Sequence, residues 1–121
     1  QDLRVALSSE SEEWAAEVVV DGSAGVSQPG GWSSMHGVAG LLALVEQDGV
    51  SGGIGLHVRE PNGCWAHHVV WPDQVYTHPA VHVVDGTSAI VSARQIAFDS
   101  DLMANHDLVL ELIELPVCSA D

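Results

Sequence analysis

The chain has 121 residues, 46% of them hydrophobic and only 17% charged, which is enough apolar material for one domain with its own core. Seventeen acids stand against three arginines (Arg4, Arg59, Arg94) and no lysine, for a net charge of -14. Such a field repels nucleic acids and anionic membranes and favours a basic protein or a cationic small molecule as partner.

In chain order, Leu3, Val5 and Leu7 alternate with polar neighbours and predict a strand. After an acidic loop from Ser8 to Glu13, Trp14, Ala16, Val18 and Val20 predict a second strand, ended by Asp21-Gly22. Residues 21–33 are rich in turn formers and read as the longest loop. From about Ser34 to Gln47 the spacing of Val38, Leu41, Leu42 and Val45 predicts a helix, capped by Ser33 or Ser34 and stopped by Gly49. Its other side carries Gly37, Ala39, Gly40 and Ala43, so the helix is expected to be buried all round and enclosed by sheet.

Beyond Gly52-Gly53, Ile54, Leu56 and Val58 alternate with Gly55, His57 and Arg59, and Asn62-Gly63 predicts a tight hairpin back to Cys64–Trp71. Pro72 and Pro79 bracket an irregular or edge segment. Asp85-Gly86 turns into a longer strand ending near Phe98, residues 99–107 form a polar connection, and Leu108, Leu110, Leu112 and Leu115 mark the last strand. The expected fold class is therefore α+β: a single domain with one central helix inside an antiparallel sheet of about five to seven strands.

Seven histidines are the most suggestive residues. With Asn62-Gly63 as a two-residue turn, His57 faces His68 on the polar side with Cβ atoms about 5 Å apart. That spacing suits a metal ion or a pair titrating together near neutral pH. The same register places His67 on the apolar side, as a hydrogen-bonded core residue. His78 and His82 are too far apart on a strand, about 13 Å, to share an ion. Residues 99–107 lack the glycine and the closing glutamate of a calcium loop. No phosphate loop, dinucleotide glycine pattern or zinc-protease motif occurs, and no cofactor is expected. Cys64 and Cys118 fit no zinc or redox spacing. With no visible signal peptide they read as two free thiols of a cytoplasmic protein, whereas an exported chain could join them. The apolar run Val38 to Val45 is too short to span a membrane.

Residues 30–46, GGWSSMHGVAGLLALVE, resemble the helix entrance of hotdog-fold acyl-CoA thioesterases, where a glycine-containing loop leads into a His-Gly start of a buried helix. The resemblance implies a hotdog-like roll closed by a homodimer. It implies that Trp32, His36 and Gly37 line an acyl site, that amides near His36 and Gly37 polarise a thioester carbonyl, and that Glu46 is the base or nucleophile. Three functions follow from the sequence: an acidic binding module for a cationic partner, a hotdog-like thioesterase or acyl-binding protein, and a metal- or pH-responsive protein using His57 and His68.

Overall fold

In the computed structural model the described residues are 3–8, 14–20, 29–38, 40–48, 53–72, 75–98 and 104–118. They form nine strands: β1 (Leu3–Ser8), β2 (Trp14–Val20), β3 (Pro29–Val38), β4 (Leu41–Asp48), β5 (Ile54–Arg59), β6 (Trp65–Val70), β7 (Val75–Val83), β8 (Ser88–Phe98) and β9 (Ala104–Glu114). All pairings are antiparallel, in three sheets ordered β1-β2, β3-β4-β5-β6 and β7-β8-β9.

The expected helix from Ser34 to Gln47 is instead the β3–β4 hairpin, so the fold is all-β among the described residues and neither the α+β class nor the hotdog roll holds. Val38 pairs with Leu41, and Gly40 takes φ +86° in the two-residue connection between them. Only glycine adopts that backbone without strain. Ala43, Leu44, Val45 and Glu46 are all buried, so β4 is covered on both faces. A strand buried on both faces loses its two-residue alternation and reads as a continuous apolar run, the same pattern a fully buried helix gives. The two glycines, which would each cost a helix about 1 kcal/mol, are better placed in this hairpin.

The core lies between two sheets. Ala43, Val45, Ile54, Leu56, Val58 and Val70 on one side meet Tyr76, Val81, Val83, Ala89, Val91 and Ala93 on the other. On the opposite face of the four-stranded sheet, Val5 and Val19 of the β1–β2 ribbon pack with Leu7, Leu42 and Trp65. The ribbon is fastened there by Glu17, which accepts from Arg59 Nε at 2.9 Å and from the Trp65 indole N–H. This pull sets the face of β2: Glu17 and Val19 turn inward while Trp14 and Val18 are exposed, the reverse of the expected alternation.

Pro79 sits in β7, the end strand of its sheet, where the register shifts between Thr77 and Ala80 and His78 takes φ +53°. A bulge on an end strand is where a residue with no N–H costs least. Cys64 and Cys118 form a disulfide rather than two free thiols. It ties the segment after β9 to the β5–β6 turn, where Glu60 also accepts from the Cys118 N–H at 3.2 Å. No helix among the described residues is long and apolar enough to cross a membrane.

Candidate functional site

The β5–β6 turn determines what the four-stranded sheet presents. Gly63 N–H donates to Glu60 C=O at 2.9 Å, Glu60 N–H donates to Cys64 C=O at 2.9 Å, and Gly63 takes φ +91°. The loop is thus three residues, Pro61-Asn62-Gly63, a type I turn closed by a left-handed glycine, rather than the two-residue Asn-Gly turn. The pairing shifts by one, and a one-residue shift moves every side chain to the other face. His57 therefore faces His67, while His68 stands opposite Leu56 on the other side of the sheet, so the expected His57–His68 pair does not form.

In its place three side chains from three neighbouring strands form a connected row. Glu46 of β4 and His57 of β5 are buried, with 1% and 4% of their surface exposed. His57 Nε2 lies 3.2 Å from Glu46 Oε1, and His57 Nδ1 lies 2.7 Å from His67 Nδ1 of β6. Gly55, directly across from Glu46, makes the room. A Cβ there would overlap Glu46 Oε1 and fall 3.0 Å from His57 Nε2. A buried carboxylate is costly unless hydrogen-bonded, and among the described residues no buried side-chain polar atom lacks a partner.

The geometry constrains the protons. One of the two facing Nδ1 atoms must donate and the other accept. With His57 Nε2–H directed at Glu46, a neutral His57 accepts at Nδ1 from His67. Burial, and then the adjacent His57, hold the His67 imidazole below its ordinary value of 6.5. Since the folded chain resists protonation of His67, the unfolded chain takes the proton first as pH falls through 6.5. Stability linked to His67 is complete above pH 6.5 and is lost on acidification toward the lower folded value. In urea unfolding the midpoint should drop from pH 7.5 to 5.5, and by less in His67→Gln. An equal drop in both proteins would show that His67 has no part in it.

The other expected site residues are dispersed. His36 lies on β3, where its Nδ1 accepts from Val83 N–H at 2.9 Å and its ring stacks on His82 at 4.7 Å, tying two sheets together. Gly37 is exposed on the same strand, and the backbone of Trp32 also lies in β3, its side chain being outside the described residues. No helix amino terminus exists at His36 and Gly37 to polarise a carbonyl, and Glu46 pairs with His57 on the sheet face opposite to His36. Trp65 packs with the β1–β2 ribbon and Trp71 with the core between the two larger sheets. Residues 21–28, 49–52 and 99–103, which hold parts of the expected loop, helix stop and polar connection, lie outside the described residues. The cluster Glu60, Cys64 and Cys118 brings three potential ligand atoms together, but the two sulfurs are bonded to each other.

A second feature is a surface on β9, which the sequence pattern presents as an ordinary strand. β9 is the last strand of its sheet, and Leu108, Leu110 and Leu112 point outward with 75%, 66% and 63% of their surface exposed. Their cross-strand neighbours on β8 are Arg94, Ser92 and Ile90. Val109 and Ile113, on the inner side, pack against the core. The expected alternation is present, but leucine stands on the solvent side as well. Comparison with models of protein families, with curated proteins and with solved structures found no match.

Proposed function

We propose that this chain is an acidic binding module that takes a cationic, strand-forming partner along the outer face and open edge of β9. The observation that carries the reading is the row of three leucines, 63–75% exposed, on an end strand. A soluble monomer seldom shows a contiguous apolar row of this kind, and a strand edge that pairs with no strand among the described residues, as that of β9, invites another strand. The net charge of -14 selects the partner: it steers in a basic chain and opposes pairing of two copies. An added strand would hydrogen-bond to the β9 backbone and lay alternate apolar side chains against Leu108, Leu110 and Leu112. The Cys64–Cys118 disulfide favours an oxidising compartment over the cytoplasm as the place where this happens.

The test uses a labelled peptide of alternating lysine and valine, with fluorescence anisotropy read in chelator-treated buffer. Binding is expected at low salt and should weaken as salt rises. Leu110→Lys should weaken it at least tenfold, since burying one leucine is worth about 1.5–3 kcal/mol. Absence of binding at low salt, or an unaltered Leu110→Lys, overturns the proposal. Light scattering that shows a dimer disrupted by Leu110→Lys would assign the face to a second copy instead.

A further inference from the structure

We infer that the groove between the edges of β6 and β9 is a seat for one arginine side chain of the partner strand, with Glu114 as its carboxylate and His68 as its wall. This rests on the strand-addition reading above and names the side chain that the partner must carry. β6 and β9 are end strands of the two larger sheets. Two links join them. The Trp71 indole N–H, just past β6, donates to Glu111 Oε2 of β9 at 2.6 Å. The Cys64–Cys118 disulfide joins the residue before β6 to the segment after β9. From Trp71 back to Cys64, and from Glu111 on to Cys118, the two segments advance by the same number of residues in opposite directions. The edges therefore run antiparallel and in step, and His68 and Glu114 take matching positions between the links.

The gap holds an open groove of about 450 Å³, within the size range of ligand sites. His68 stands opposite Leu56, on the face of β6 that carries the buried Ala66 and Val70, yet it is exposed. A polar ring thus occupies a core-facing position at the mouth of the groove. Ile113, Glu114, Leu115 and Val117 line the other side. Ile113 packs on the core and Leu115 is buried, so the floor is apolar and fixed. A whole strand cannot pass through the gap. Strands pair about 4.8 Å apart, so one lying between two edges needs about 9.6 Å. The Cα atoms of Cys64 and Cys118 are 6.5 Å apart. A side chain does fit. A strand added to β9 turns alternate side chains to the outer leucine face and to the inner face that looks across to β6. The inner-facing residue beside Ile113 enters the groove. The lining selects arginine. Its methylene stem suits the apolar floor, and its guanidinium meets the Glu114 carboxylate with two parallel N–H donors. The planar guanidinium also stacks on a flat ring such as His68, which a lysine ammonium does not. No lysine or arginine lines the groove to compete, and the net charge of -14 draws the cation in.

The experiment compares two labelled peptides, alternating arginine and valine or alternating lysine and valine, by fluorescence anisotropy on the folded, disulfide-bonded chain. Both carry the same charge, so a preference reports the shape of the seat and not the field of the protein. Wild type should bind the arginine peptide about fivefold more tightly. Glu114→Gln and His68→Ala, changes at exposed positions whose folding circular dichroism verifies, should each bring the ratio below twofold. Leu110→Lys should weaken both peptides alike and leave the ratio as it is. Equal binding of the two peptides by wild type, or a preference retained in either groove variant, overturns the seat and leaves the strand reading standing. Should neither peptide bind, the strand reading fails and N-acetylarginine amide judges the seat alone. In a nitrogen-15 NMR titration it should shift the amide signals of His68, Ile113, Glu114 and Leu115 in wild type and not in Glu114→Gln. No shift at these residues overturns the seat.

Discussion

Gly55→Ala is expected to destabilise the chain by about 3–5 kcal/mol. The new Cβ would occupy the space of Glu46 Oε1 and press on His57 Nε2 at 3.0 Å. Neither neighbour can yield cheaply, because Glu46 is 1% exposed and His57 4%. Overpacking alone costs about 1–3 kcal/mol, and separating a buried charged group from its partner costs about 3–5 kcal/mol. The two costs overlap, since relieving the first incurs the second. Against a total stability of about 5–15 kcal/mol for an ordinary domain, this leaves the variant near the edge of folding. Urea unfolding measures it. Shortening Glu46 as well, in the Glu46→Ser/Gly55→Ala double variant, should recover part of the loss. A cost below 1 kcal/mol for Gly55→Ala would mean that Glu46 does not fill this space.

Breaking the Cys64–Cys118 bond should cost about 4 kcal/mol. The crosslink spans 54 residues, and the chain entropy released to the unfolded state by opening a loop of that length corresponds to about 4 kcal/mol at room temperature. For a chain of 121 residues that is a fall in melting temperature of about 15 °C. Melting with and without reductant, in wild type and in the Cys64→Ser/Cys118→Ser variant, reads it directly. The variant should melt where the reduced wild type does and ignore the reductant. A reduced protein that melts within 3 °C of the oxidised one would show that the bond constrains nothing the fold does not already hold. The loss should also loosen the end of β9, because the residues that follow it are held to the β5–β6 turn by this bond and by the Glu60 contact.

The two candidate sites differ in how much of each could be read from residues alone. Glu46 and His57 both appear among the sequence candidates, but in separate roles, one catalytic and one metal-binding. Nothing local relates them, because they are 11 positions apart and meet only when β4 and β5 pair. The Asn-Gly pair predicts a two-residue turn, which puts His67 in the core and His68 in the site. Proline at position 61 and the left-handed Gly63 gave a three-residue turn instead, and the register moved by one. The signal that could have found the row is Gly55 itself, a glycine inside a strand on the same side as His57, which marks a close approach by a neighbouring group.

The sequence by itself determined the strands whose faces differ in polarity. β1, β5 and β9 follow from alternation, and Asp85-Gly86 marks the turn between β7 and β8. Only the tertiary structure decided the rest. The segment from Ser34 to Gln47 is apolar or small on every side, and such a run satisfies a buried helix and a doubly covered strand equally well at the local level. What separates them is the supply of partners: β5 pairs with one edge of β4, β3 with the other, and sheets or ribbon cover both faces. Those partners lie elsewhere along the chain or across the molecule, so no pattern within the segment could carry the answer. The same reason placed the chemistry, since one residue of register, set in a turn, chose which histidine meets His57.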